Sequence, residues 1–103
     1  VIDHMWQTET GGPIIGNPYG IAIAPIKPGS AAIPVPGLIA DVVDVHDGHV
    51  CTPGEKGVLV IKKPFPGLTS TLWGDAERYK TDYWETKEGT MGMYYAGDSA
   101  SKD

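Results

Sequence analysis

A chain of 103 residues supports one modest hydrophobic core and little more. Its formal net charge of −5, with no basic stripe, argues against nucleic-acid binding, and its apolar runs fall far short of a membrane span. Gly 14 and Pro 9 promise many turns and few helices, and the single cysteine, Cys51, rules out an intrachain disulfide.

A lone cysteine suits a reducing cytoplasm, and the first residues lack the charged start and apolar centre of a secretory signal. Cys51 itself reads as a small half-buried hydrophobe. The chain starts without methionine and stops at Ser99-Ala100-Ser101-Lys102-Asp103, so the expectation is a fragment of a longer protein.

Val1 to Met5 reads as the tail of a strand. It leads into Trp6-Gln7-Thr8-Glu9-Thr10-Gly11-Gly12, which mixes an indole, hydroxyls, an amide, a carboxylate and glycines. Pro13-Ile14-Ile15-Gly16 is a short apolar piece, and Asn17-Pro18-Tyr19-Gly20 is a turn signal. Ile21 to Ala24 is expected to be extended. Pro25, Pro28, Pro34 and Pro36 then exclude a helix, Lys27 to Ser30 makes a tight turn, and Ser30 to Val35 suits a sheet edge.

Gly37 to Val45 is the clearest strand, rich in β-branched residues. Asp47-Gly48 is a hairpin dipeptide, with His49-Val50-Cys51 as the return. Pro53-Gly54-Glu55 turns the chain again into the strand Gly57 to Ile61, giving three strands of an antiparallel meander. Lys62 to Leu72 is an irregular loop. Asp75 is placed to cap a helix over Ala76 to Tyr83, with Tyr79 and Tyr83 on one face. Met93 to Ala96 is a last strand, with Gly97-Asp98 at its end. The pattern is mainly β: a small distorted antiparallel β-barrel subdomain with one short helix.

No strand or helix needs the Trp6–Gly12 mixture for its own stability, so the stretch reads as a nucleotide-facing loop. A threonine hydroxyl donates to a phosphate oxygen, and a neighbouring carboxylate holds Mg²⁺, which takes one or two protein carboxylates plus substrate phosphates. Thr8 and Glu9 meet that requirement; the plain alternative is a polar turn whose hydroxyls bond local backbone. Trp6 is either an ordinary half-buried aromatic or the floor of a small apolar pocket. Asp98 could accept from two ribose hydroxyls or simply sit at a strand end. His46 and His49, beside Asp44 and Asp47, match no closed zinc spacing and read as a hairpin tip.

The order of motifs is more specific than any one of them. Trp6 to Gly12 resembles the adenylate-site motif of acetyl- and propionyl-CoA synthetases, members of the AMP-forming acyl-CoA synthetase superfamily. Lys27-Pro28-Gly29-Ser30-Ala31, Pro36-Gly37, Pro53-Gly54-Glu55-Lys56-Gly57 and Leu59-Val60-Ile61 resemble later motifs of that family. So do Pro64-Phe65-Pro66-Gly67, the stretch Trp73 to Tyr79, and Tyr94-Tyr95-Ala96-Gly97-Asp98, where Ala96 replaces the usual hydroxyl.

The resemblance implies that a short-chain carboxylic acid is activated by Mg-ATP as an acyl-adenylate and transferred to CoA. ATP, Mg²⁺ and CoA are the implied cofactors and co-substrates, in a cytoplasmic enzyme with neither nucleic-acid nor membrane partner. By motif position, Thr8 would contact the α-phosphate and Glu9 would hold Mg²⁺ as the other catalytic residue. Asp3, His4, Met5 and Gln7 would line the adenine side, Asp98 would hold the ribose, and Trp6 would close the acyl pocket. His4 and Met5 depart from the family's usual Thr-Trp pair. Residues 1–19 would be the adenylate-site loop at the end of an α/β subdomain, and 20–103 the β-barrel subdomain. The family's phosphate loop and lysine-bearing domain lie outside this stretch, so the isolated fragment is expected to be inactive. Two rivals stand beside this reading: an adenylation domain that loads a carrier protein, and a non-catalytic β-module.

Overall fold

Val58, Leu59, Val60 and Ile61 are all buried, with no polar alternation between them. A continuous apolar run of this kind belongs to a strand covered on both faces. In the structure, a computed structural model that describes residues 2–103, this run lies in a central strand. The elements in chain order are β1 (His4–Trp6), β2 (Pro13–Gly16), β3 (Ile33–Pro34), β4 (Ala40–Val43), β5 (Lys56–Ile61), α1 (Ala76–Tyr79) and β6 (Tyr94–Ser101). They hydrogen-bond as two three-stranded sheets, β1-β2-β3 and β4-β5-β6, with every pairing antiparallel. The mainly antiparallel β-architecture with one short helix is as expected. Neither sheet closes into a barrel among the described residues, three strands being too few for closure.

The chain divides into two compact units, Val1–Leu38 with Phe65–Thr69, and Ile39–Pro64 with Ser70–Asp103. In the second unit the register sets Val43 opposite Val58 and Val60 opposite Tyr95. These residues form a cluster joined by Val45 and Met93. Val42 faces Leu59 and Ile61 faces Tyr94. Each such aliphatic side chain contributes about 1.5–3 kcal/mol when fully buried.

Asp75 caps α1 as expected, accepting from the backbone N–H of Arg78 at 3.3 Å. The second turn differs from the expected α-helix: Lys80–Trp84 is a π-turn. The wider turn lets two consecutive rings reach one partner. Tyr83 stacks on Tyr94 at 5.6 Å, and Trp84 meets the same ring edge-on at 6.0 Å. Tyr79 and Tyr83 share a face, their rings 5.5 Å apart.

Several boundaries move. β4 is shorter than Gly37 to Val45, because Gly37 sits in a turn at φ 90° and Asp44 opens the next turn. The return leg His49 to Cys51 makes only the bridge Val50–Val43, so the sheet's third strand is β6. Gly57 admits that leg closely: a Cβ there would lie 2.6 Å from the Cys51 sulfur. Cys51 is buried outright. Ile21 to Ala24 is not a strand. The Asn17 amide bonds the Ala24 carbonyl at 2.7 Å and accepts from its N–H at 3.1 Å, closing a loop that leaves Ile21 and Ile23 exposed. The expected strand tail at Val1 to Met5 is met by β1 from His4, and Val1 lies outside the described residues.

Candidate functional site

β1 and β2 pair through His4–Gly16, Met5–Ile15 and Trp6–Pro13, and the register slips between Met5 and Trp6. One residue of β2, Ile14, is thus extra at the end where the turn begins. Ile14 is fully buried and anchors this end of the sheet. A bulge there twists the ribbon and re-aims the strand end. Thr8–Thr10 forms a single 3₁₀ turn between the strands, with the N–H of Thr10 bonding the Gln7 carbonyl at 3.1 Å.

Thr10, not Thr8, locks the turn. It is 1% exposed, and its hydroxyl accepts from the Gln7 N–H at 3.0 Å. The same hydroxyl donates within reach of the Gln7 carbonyl at 2.8 Å and the Gly12 carbonyl at 2.9 Å. Thr8 is exposed and Glu9 half-buried at the crest. The expected plain role, a hydroxyl bonded to local backbone, therefore falls to Thr10.

A distant stretch braces the turn from behind. The N–H of Thr69 donates to the Glu9 carbonyl at 2.8 Å. Gly11 has φ 69°, and a Cβ there would lie 2.7 Å from the Gly67 carbonyl oxygen. Pro64 to Gly67 and Trp6 to Gly12, two motifs far apart in sequence, thus meet backbone to backbone. Nothing in the residue pattern foretold that contact, because it is made by main-chain atoms.

Trp6 is 54% exposed, more open than a half-buried aromatic. Asp3 and His4 are exposed; Met5 and Gln7 are half-buried. A cleft of about 650 Å³, lined by Ile2, His4, Pro13, Asn17, Pro18 and Val35 among others, lies in the same unit. Of the predicted site residues, only His4 lines it.

Asp98 belongs to the other unit, and its position corrects the expected strand end. It lies inside β6, which runs on to Ser101. Val60 pairs with Tyr95 and Val58 with Ser99, so Gly97 and Asp98 fall within a bulge where the longer strand carries two extra residues. Gly97 supplies the left-handed conformation the bulge needs, at φ 83°. Asp98 is exposed on it, and Ala96, in place of a hydroxyl, is buried in the strand before it.

No family model matches the chain. Curated relatives do. An acetyl-coenzyme A synthetase of Pyrobaculum aerophilum is 50% identical over 98 residues, covering 95% of this chain and 14% of that protein. One of Chromobacterium violaceum is 51% identical over 104 residues, covering 100% of this chain and 15% of that protein. The chain is similar to acetyl-coenzyme A synthetases from end to end. The resemblance carried by the motifs is thereby borne out, over about one-seventh of those relatives' length. The fold is also found in apo MatB from Rhodopseudomonas palustris, with TM-score 0.74 and 23% identity over 97% of this chain and 18% of that one.

In this acetyl-CoA synthetase-like segment the hairpin between β4 and β5 holds a second group of polar residues. Asp44 accepts from the N–H of His46 at 2.7 Å and of Asp47 at 3.2 Å, which makes the expected hairpin tip. His49 then lies between two carboxylates, Nδ1 at 2.6 Å from Asp47 and Nε2 at 2.7 Å from Glu55. Glu55, and then Asp47, hold the imidazole pKa above its ordinary value by hydrogen bonding. Burial, with the Glu55 and Asp44 carboxylates, pushes the Cys51 thiol up. Glu55 is not legible in the sequence as a partner of His49, since the Pro53-Gly54 turn that returns it to the imidazole reads only as a turn.

No described helix is long and apolar enough to cross a membrane.

Proposed function

We propose that these residues are part of an ATP-dependent, AMP-forming ligase that activates a short-chain carboxylic acid as its acyl-adenylate and passes it to CoA. The observation that carries this reading is the match, nearly end to end, to acetyl-coenzyme A synthetases. The locked 3₁₀ turn supports it: Thr10 and Gly67 fix the backbone that carries Thr8 and Glu9.

In this reading the Thr8 hydroxyl donates to an α-phosphate oxygen and Glu9 holds magnesium. The donor set fits, since a hard cation prefers carboxylate oxygen and phosphate, and both groups sit on one short turn. Magnesium there would neutralise charge on the phosphates. Trp6 limits the length of the acid, Asp98 holds the ribose hydroxyls, and Asp3, His4, Met5 and Gln7 line the adenine side. A bulge suits the ribose role, because it presents a carboxylate away from the regular pleat. A turn with its own hydrogen bonds satisfied pays no reorganisation when charge develops on the phosphate, which is where fixed donors act most strongly.

The test uses the full-length polypeptide that carries these residues. Acetate-dependent exchange of pyrophosphate into ATP is measured for wild type, Thr8→Ala and Glu9→Ala. Each variant is expected to lose activity by about 10²-fold or more, as loss of one fixed electrostatic group does elsewhere. Unchanged exchange in both variants would sink the assignment and favour a non-catalytic module.

A further inference from the structure

We propose that the β4–β5 hairpin is a binding site for a zinc-class divalent cation, held by His49 Nε2, the Cys51 thiolate and a Glu55 carboxylate oxygen. The donor atoms of these three residues lie within 4.8 Å of one another. The site is separate from the turn at Thr8 and does not rest on the ligase reading.

The geometry of His49 makes the argument. Asp47 lies on Nδ1 at 2.6 Å and Glu55 Oε1 on Nε2 at 2.7 Å, contacts that the doubly protonated ring satisfies by donating to both carboxylates. When the ring gives up its Nε2 proton, Asp47 keeps the other proton on Nδ1 and the Nε2 lone pair faces Glu55 Oε1. Two acceptors at such a distance repel unless a cation lies between them, and a metal ion can take the place of the departed proton. Metal-bound histidines commonly carry a carboxylate on the other ring nitrogen, the place Asp47 occupies here.

Glu55 is held in position for the same role. Its Oε2 accepts from the Thr52 N–H at 2.9 Å and the Thr52 hydroxyl at 3.2 Å, so Oε1 is the atom left facing His49. Cys51 closes the third side. It is 2% exposed, and its sulfur reaches the Lys56 carbonyl only at 3.9 Å, a weak hydrogen bond. Carboxylates beside a thiol disfavour a second negative charge, and a divalent cation cancels that repulsion. On binding, the Cys51 thiol and the imidazolium each release a proton to solvent, and the cation takes up both lone pairs.

The donor set selects the class of ion. Nitrogen and sulfur ligands suit zinc and its neighbours and disfavour Mg²⁺ or Ca²⁺. Tetrahedral coordination at ~2.0–2.3 Å from each ligand asks the His49–Glu55 gap to open by about 0.6–0.7 Å and the sulfur to draw closer to both. Three protein ligands leave a fourth position for water.

The test titrates Co²⁺, then Zn²⁺, into the intact polypeptide that carries this hairpin. A thiolate-to-cobalt charge-transfer band is expected in wild type, absent from Cys51→Ser and abolished by Zn²⁺. Glu55→Gln keeps the carbonyl side that binds Thr52, so its folding is preserved; it is expected to weaken Co²⁺ by about tenfold or more, as is His49→Ala. Zn²⁺ should raise the thermal midpoint of wild type and not of Cys51→Ser. No charge-transfer difference between wild type and Cys51→Ser at saturating Co²⁺ overturns the proposal. So does equal Co²⁺ affinity in wild type, Glu55→Gln and His49→Ala.

Discussion

The two units divide their labour unequally. Among the described residues, the one built on β4, β5 and β6 holds all the buried hydrophobics except Ile14. The one built on β1, β2 and β3 exposes Trp6, Ile21, Ile23, Ile26 and Ile33. Apolar burial fixes the first architecture. The second is fixed by main-chain hydrogen bonds, a buried threonine hydroxyl and a close glycine contact. The lesson is that the turn carrying Thr8 and Glu9 is shaped by polar atoms, which set angles sharply and contribute little to global stability.

Three measurements would break or sharpen that contrast. The largest effect is expected from Ile61→Ala in the central strand, a loss of about 2–5 kcal/mol in urea unfolding. Ile21→Ser in the other unit should change stability by less than about 0.5 kcal/mol. Equal losses would show that the β4-β5-β6 sheet does not carry the core.

Next comes the lock itself. Thr10→Val keeps the shape and removes the hydroxyl, leaving the Gln7 N–H without its acceptor. The expected cost is about 1–3 kcal/mol. In the full-length polypeptide, nucleotide-dependent activity should fall together with it. Gly11→Ala should act in the same direction, since it strains a left-handed residue and crowds the Gly67 carbonyl. Full activity in both variants would mean that the turn tolerates other shapes.

The smallest effect is electrostatic and lies at the hairpin. The imidazole pKa of His49 is raised by Glu55 and Asp47, so its contribution is complete below the ordinary histidine pKa. That contribution is lost as pH rises through the raised value. Glu55 is lowered by the Thr52 N–H and by His49, and Asp47 by the His49 N–H and ring. Their contribution is complete above the ordinary carboxylate range and lost as pH falls through the lowered values. In metal-free protein, the protection of the Thr52 amide against exchange, relative to an unstructured amide at the same pH, should therefore be greatest at mildly acidic pH and lower on either side. Exchange protection that is flat from pH 4 to 8, on the order of the span between ordinary carboxylate and histidine pKa values, would dissolve the clamp.

Much of this was readable before any coordinates. The apolar run of β5, the Asp47-Gly48 tip, the Asp75 cap and the edge prolines are local signals, and each acts within a few residues. The motif order also pointed to the acyl-CoA synthetases. Three things were not readable, for one reason: each depends on contacts between residues far apart in the sequence. The brace from Gly67 and Thr69 leaves no side-chain pattern. The bulge that carries β6 past Gly97 to Ser101 is visible only against its partner strand. The π-turn needs Tyr94 before there is any reason for Tyr83 and Trp84 to point the same way. His49 among its carboxylates is intermediate: the residues stand out in sequence, and the turn that gathers them does not.

The interruption in β6 has a further consequence for solubility. β6 is an outer strand of its sheet, and a long regular outer strand offers an open row of amides and carbonyls to any other chain. Two extra residues at Gly97 and Asp98 break that row in the middle and place a negative charge at the break. The kink that carries Asp98 thus spoils the template on which neighbouring molecules would stack into aggregates.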